Sequence, residues 1–141
     1  MESILIHSHS GLRWILLITM IFVLFKDHSN ISVKSKKIDW VLYTLILFFL
    51  QIIIGVILYF ISHKVSFQPG FMKIAKLRFF TVEHITGMLL AFVIMILGYI
   101  KYIKAPLNRR NKIIKIYFAI ALLFVLLSIP WPLRGFGNSW F

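Results

Sequence analysis

Apolar residues fall in four long blocks along the chain, separated by short polar and basic stretches. The blocks cover about residues 5–25, 39–62, 81–100 and 113–130. An apolar stretch of about 18 residues or more is long enough to cross a bilayer as a helix, and a helix satisfies its own backbone hydrogen bonds in lipid. Polar and apolar residues do not alternate as they would in the strands of a membrane barrel. The pattern therefore predicts four transmembrane helices.

The connections between the blocks are short, which favours antiparallel packing of successive helices. We therefore expect an all-α integral membrane fold, a four-transmembrane-helix bundle that runs up, down, up and down. Residues 1–141 form a single membrane domain in this interpretation. Pro130 and Pro132 end the last helix, because proline removes a backbone donor and restricts the residue before it. The segment GFMKIAKLRFF, from Gly70 to Phe80, is expected to lie in the membrane interface as a short amphipathic helix.

Composition and charge agree with a membrane protein. Hydrophobic residues make up 60% of the chain and charged residues only 14%, with a mean hydropathy of +0.91. The net charge of +12 does not indicate nucleic-acid binding, because the basic residues lie almost entirely in the gaps between the apolar blocks. Since the chain has no cysteine, disulfides, thiolate metal sites and covalently attached c-type haem are excluded.

The distribution of basic residues predicts the orientation in the membrane. Ten lie in the first and third loops: Lys26, Lys34, Lys36, Lys37, Lys101, Lys104, Arg109, Arg110, Lys112 and Lys115. Six lie towards the opposite face: Arg13, Lys64, Lys73, Lys76, Arg78 and Arg134. Because basic loops stay in the cytoplasm, we expect the first and third loops to be cytoplasmic and both termini to lie on the outer side.

Two histidines are candidates for chemistry because they lie at the same depth. His9 precedes Lys26 by 17 residues, and His84 precedes Lys101 by 17 residues. Each imidazole is therefore about 25 Å above the inner boundary of its span. The first and third helices run parallel and are expected to be diagonal partners, so the two rings can face each other across the bundle axis. This is the geometry of a haem with two histidine ligands. The sequence leaves open whether His7 or His9 is the ligand.

Three neighbouring positions suit a haem at this depth. Gly55 lies at a similar depth on the second helix and would let a flat macrocycle approach the backbone. Arg13, four residues after His9, and Arg134, after the fourth helix, are candidate partners of the haem propionates at the outer surface. Each also has a simpler interpretation, since glycine permits close helix packing in membranes and arginine side chains extend to lipid headgroups.

Two further polar residues are candidates for supporting roles. Glu83, directly before His84, could orient a ligand imidazole or pair with Arg13. Gln51 lies near the middle of the second span, where a polar side chain is expected to face the interior. The alternative is that the histidines and Glu83 are simply polar residues at the membrane surface.

Four stretches of the chain, HSGLRW, LQIIIGVILYF, LRFFTVEHITGM and SIPWPLRG, resemble a family of small four-span bacterial membrane proteins that are often labelled cytochrome b-like. The resemblance covers nearly the whole chain. It implies a b-type cytochrome or an accessory subunit of a respiratory chain in the bacterial inner membrane. It also implies that His9 and His84 match the histidine motifs of the family, with haem b as the cofactor. Since there is no deep second pair of histidines, only one haem is expected.

The leading hypothesis is a one-haem subunit for electron transfer or a quinol-linked respiratory role. His9 and His84 would be the metal ligands, and Arg13, Gly55, Glu83 and Arg134 would complete the binding site. Its partners would be the lipid bilayer and either respiratory membrane subunits or quinol, and no nucleic acid. A second hypothesis is a structural or assembly subunit of a larger membrane complex, without a cofactor. A proton path is the third, and it is disfavoured because polar residues are sparse at mid-span.

Overall fold

The computed structural model describes residues 2–28 and 38–136, and these residues form helices and connecting turns. Its α-helices are α1 (Glu2–Phe25), α2 (Trp40–Ile61), the short α3 (Ala75–Arg78), α4 (His84–Lys104) and α5 (Leu107–Ser128). Segments long and apolar enough to cross a membrane are Ser3–Phe25, Trp40–Ile61, Ala75–Lys104 and Leu107–Ser128. The protein is therefore an all-helical, multi-pass membrane protein, and the predicted fold class is confirmed. Lys34, Lys36 and Lys37, which contribute to the predicted orientation, lie outside the described residues.

The four spanning helices pack as a square. α1 contacts α2 and α5, and α4 contacts the same two helices from the other side, so α1 and α4 are diagonal partners. Contacts between α4 and α5 join Gly87 to Ser128 and Gly98 to Tyr117, which makes these two helices antiparallel. We call the end of the bundle at which α1 and α4 begin and α2 and α5 end the histidine end.

Two helix boundaries differ from those predicted by hydropathy. The third span extends from Ala75 to Lys104, and α5 begins at Leu107, so both helices continue beyond the apolar blocks. A helix can extend past the hydrocarbon region because its lysine and arginine side chains reach water from positions near the end. Pro106, with φ −64°, separates the two helices. α5 ends at Ser128, just before Pro130, as predicted.

The predicted interfacial segment is helical but is not one separate amphipathic helix. A 3₁₀ turn at Phe71–Lys73 is followed by α3, and α3 continues through a π-helical turn at Phe79–Glu83 into α4. Gly70 has φ +88°, a conformation that L side chains rarely adopt, and it starts the turn. The hydroxyl of Thr81 binds the backbone of Ser66 through both N–H and C=O, which fastens this connection to the bundle.

Small residues allow α4 and α5 to approach closely. A Cβ atom added at Gly98 would lie 2.5 Å from Cβ of Tyr117, and one added at Gly87 would overlap the hydroxyl of Ser128. Ala91 and Ala121 are fully buried in the same bundle core. Small residues at helix contacts are the usual way in which membrane helices pack. Only 17–28% of each apolar span is buried inside the bundle, so most of the helical surface faces outward.

Candidate functional site

His9 and His84 meet at the histidine end of the bundle. His9 is on α1, His84 is the first residue of α4, and their ring centroids are 6.3 Å apart with an angle of 74° between the ring planes. Since α1 and α4 are diagonal partners, the two imidazoles face each other across the bundle, as their equal depth predicts. His7 is exposed. The orientation of α1 about its own axis therefore places His9, and not His7, opposite His84.

One nitrogen of His84 is fixed by α5. Nδ1 of His84 lies 2.6 Å from the backbone oxygen of Ser128. A carbonyl oxygen only accepts, so Nδ1 carries the proton and donates, and in the neutral ring Nε2 carries the lone pair. A hydrogen bond from the second ring nitrogen to a carbonyl is the usual arrangement for a histidine that binds a metal.

His9 is held between α1 and α2. The side-chain amide of Gln51 donates to the backbone oxygen of His9 at 2.7 Å, which joins the two helices at this level. A Cβ atom added at Gly55 would lie 3.2 Å from Cε1 of His9, so glycine leaves the room that the ring occupies. Nδ1 of His9 is buried, and within the described part of the chain it has no hydrogen-bond partner. Gln51 thus faces the interior, as predicted.

Both histidines line a cavity of about 260 Å³. Within the described residues, the charged residues of its lining are Arg13 and Lys64, and both are cationic. Val56 on α2 and Leu89 on α4 line the same cavity, yet they are 38% and 44% exposed on the outside of the bundle. These exposures indicate that the cavity reaches the surface of the bundle between α2 and α4.

Arg13 is the charged residue of α1 that lines the cavity. It is four residues after His9, so it is one helical turn, about 6 Å, further from the histidine end on the same face of α1. This position is beside the midpoint of the span Ser3–Phe25. Arg13 lines the cavity with both histidines, and its contact with a haem propionate stays a prediction.

Glu83 and Arg134 are near the site but point elsewhere. Oε1 of Glu83 accepts from Nε of Arg78 at 2.7 Å, and both side chains are largely exposed. Arg134 donates to the backbone oxygen of Leu127 at 2.6 Å, and its guanidinium lies 4.9 Å from the ring centre of Phe79. Among the described residues, the cavity lining includes neither Glu83 nor Arg134.

The structure thus brings together four of the six residues that the sequence proposed for the site: His9, His84, Arg13 and Gly55. It adds Lys64 to the lining and the backbone oxygen of Ser128 as the partner of His84. Lys64 lies in the loop that follows α2. The only feature of the sequence that could have indicated its role in the site is a basic residue directly after a span. The role of the Ser128 carbonyl could not be predicted, because every residue has a backbone oxygen.

Among the described residues, no group of three or more His, Cys, Asp or Glu side chains is arranged to hold a metal ion. Comparison of the chain with protein-family models, with curated proteins and with solved structures found no match.

Proposed function

We propose that this protein is a membrane b-type cytochrome-like subunit that holds one haem between α1 and α4, with His9 and His84 as the two axial ligands. The observation that carries the proposal is the pair of imidazoles that face each other in a cavity, with ring centroids 6.3 Å apart. The role is electron transfer or a quinol-linked step in a respiratory chain.

The separation of the rings suits two ligands on opposite sides of one metal. A bond from a metal to an imidazole nitrogen is about 2 Å long, so two trans imidazoles have centroids about 6 Å apart. The angle of 74° between the rings is compatible with ligation, because each ring can turn about its own metal–nitrogen bond. The hydrogen bond from His84 to Ser128 leaves Nε2 of His84 available for the metal.

The size of the cavity sets a condition on this proposal. At about 260 Å³ the cavity lies just below the range of about 300–1,000 Å³ that is common for ligand pockets. A porphyrin therefore needs the side chains at the opening between α2 and α4 to move outward. Leu89 and Val56 line the cavity and are 44% and 38% exposed, whereas Met88, which also lines it, is partly buried and packs against the core.

A bound haem would supply one-electron chemistry. The residues of this chain would hold it by two imidazoles, fix the orientation of His84 through Ser128, and surround it with apolar side chains. In a bilayer, an opening between α2 and α4 would be reached from the apolar region in which quinols dissolve, and we therefore propose a quinol as the electron donor or acceptor.

We further propose that the protein resides in a bacterial inner membrane with its histidine end on the outer side, because the basic residues of the opposite end favour the cytoplasm. The chain has no cysteine, so single cysteines can report on this. A membrane-impermeant thiol reagent added to intact cells or spheroplasts should label His63→Cys and spare Asn108→Cys. The reverse labelling pattern would show that the orientation is inverted.

The experiment that tests the haem is an absorption spectrum of the purified, detergent-solubilised protein, reduced minus oxidised, after expression with ample haem. A sharp b-type α-band is expected. A flat spectrum, together with no spectral change when haem is added to the purified protein, would exclude the cytochrome function.

One observation favours a second candidate, a structural or assembly subunit without a cofactor. The two imidazoles are already in edge-to-face contact, and such a contact can simply join two helices. The helical surfaces that face outward could then pack against partner subunits as well as against lipid. A protein that purifies without haem and in fixed ratio with a larger membrane complex would support this candidate.

A further inference from the structure

We infer that the cavity selects a membrane-soluble ligand that carries a carboxylate, and that Arg13 receives this carboxylate inside the span. The inference rests on the proposed function and deepens it. It assigns the contact of a haem propionate to Arg13, and it removes Arg134 from that role. The same chemistry is shared by metal-free porphyrins with free carboxylates.

The position of Arg13 is the first argument. Arg13 lies beside the midpoint of the span Ser3–Phe25, on the face of α1 that also carries His9. Ionisable residues at this depth are rare because they are costly to place in a bilayer, and they face the interior or a cavity where a function needs them. Arg13 is half-buried and lines the cavity, as that rule expects.

The charge of the cavity is the second argument. Within the described residues, its charged lining consists of Arg13 and Lys64, so the field inside favours an anion. A carboxylate that enters a medium of low polarity needs a cation and hydrogen bonds to compensate its lost hydration. The guanidinium of arginine is planar and can donate two parallel hydrogen bonds to one carboxylate.

The shape of the cavity is the third argument. The rest of its lining is largely apolar, and Val56 and Leu89, where it reaches the bundle surface, are 38% and 44% exposed. Such a site fits a flat apolar body with an anionic group at one edge. Lys64 lies at the loop end of the cavity, whereas Arg13 lies one turn beyond the histidines in the other direction. We assign the carboxylate to Arg13 because a charge at that depth has less access to water.

The test compares haem with its dimethyl ester, in which both carboxylates are masked and the iron is unchanged. Each is titrated into the haem-free, detergent-solubilised protein, and affinity is read from the Soret band. The wild-type protein should bind haem about tenfold or more tightly than the ester, since a hydrogen bond to a charged group has roughly that effect. Arg13→Gln should lose this preference and bind haem no better than the ester.

Two variants serve as controls. Arg134→Gln removes an arginine at the same end of the bundle, outside the cavity lining, and should keep the preference for haem. Arg13→Lys keeps a cation at this position and should keep part of the preference, and an unchanged circular-dichroism spectrum shows that Arg13→Gln is folded. Equal affinity of the wild-type protein for haem and ester would overturn the inference. A preference that survives in Arg13→Gln and disappears in Lys64→Gln would overturn the assignment to Arg13.

Metal-free protoporphyrin separates this inference from the haem proposal. It cannot be ligated by histidine, yet it carries the same carboxylates, and its binding is followed by fluorescence. A preference for the free acid over its dimethyl ester that depends on Arg13 would support the inference even if haem gave no ligated spectrum. A Soret shift with both haem and ester, without any preference in either probe, would leave the haem proposal standing and exclude the carboxylate site.

Discussion

The two ends of the bundle each contain a histidine bonded to a backbone carbonyl, but among the described residues only the histidine end brings a second imidazole against it. At the histidine end, His84 donates to Ser128 and its ring faces His9. At the opposite end, His28 is 1% exposed, and its Nε2 donates to the backbone oxygen of Val23 at 2.9 Å. The ring of His28 packs edge-to-face against a tyrosine, Tyr102, at 6.0 Å.

This comparison shows which features indicate a ligand site in this protein. A hydrogen bond to a backbone carbonyl is common to both histidines, so it does not distinguish them. The difference is a second imidazole across the bundle, in a cavity that both rings line, and this occurs with His84. His28 therefore has the arrangement of a structural histidine at the end of α1, where it satisfies one of the last carbonyls of the helix.

The largest expected effect is the loss of the haem spectrum when a ligand is removed. His9→Ala and His84→Ala should each abolish the low-spin b-type α-band, because one imidazole cannot complete the axial pair. His28→Ala should keep the band, although the buried hydrogen bond to Val23 is lost. Absorption spectra of the three purified variants check this. An unchanged α-band in His84→Ala would show that the assignment of the ligand is wrong.

The second effect concerns how the ligand reaches the cavity. Val56→Trp and Leu89→Trp should each slow the appearance of the Soret band several-fold, because a bulky ring would obstruct the opening between α2 and α4. Ile53→Trp is the matched control, since Ile53 is 41% exposed on α2 and outside the described cavity lining. The measurement is the rate of haem transfer from loaded vesicles to the haem-free protein in nanodiscs. Equal slowing by all three substitutions would exclude this route.

Alanine is expected to have different effects at the glycines of the two ends of the bundle. Gly98→Ala should lower the free energy of unfolding by about 1–3 kcal/mol, because Tyr117 must move to admit the methyl group. Gly87→Ala should lower it less, since the hydroxyl of Ser128 can rotate away, yet it should weaken haem binding. The reason is that the carbonyl of Ser128 orients His84. Denaturant unfolding and haem titration of both variants separate the two effects. If Gly98→Ala weakened haem binding as much as Gly87→Ala, the two ends would not be independent.

The smallest effect is expected at Gly55. A methyl group there would lie 3.2 Å from Cε1 of His9, so the ring must shift by a few tenths of an ångström. Gly55→Ala should therefore reduce haem affinity by less than about tenfold, while the helix gains up to about 1 kcal/mol from alanine. Gly11→Ala is the control, because no heavy atom lies within 4 Å of the added Cβ. The substitution at Gly11 should leave haem affinity unchanged.

Depth along the helices was predictable from the sequence, because hydropathy and residue counting measure distance along a helix axis. The spans and the equal depth of His9 and His84 followed from this. The same counting also places Arg13 one turn beyond His9, so its position within the span could have been recognised. The comparison of basic residues, however, grouped Arg13 with those of the outer face.

Rotation about each helix axis was not predictable, because it depends on how side chains pack between helices. Counting cannot choose between His7 and His9, whereas the packing of α1 against α2 leaves His7 exposed. Nor can it show that Glu83 pairs with Arg78 or that Ser128 receives the proton of His84. These contacts join residues through the tertiary arrangement of α3, α4 and α5, and no local pattern encodes them.

The π-helical turn at Phe79–Glu83 has a consequence for how such a chain can change during evolution. A π turn accommodates one residue more than an α turn, and one residue corresponds to about 100° of rotation around a helix. A residue gained or lost in this turn therefore changes the direction in which α3 faces relative to the direction in which α4 presents His84. A deletion of a single residue in this turn would swing Lys76 and its neighbours around the helix and leave the register of α4 unchanged. The segment at the membrane surface and the ligand-facing helix can thus diverge separately, although they form one continuous rod.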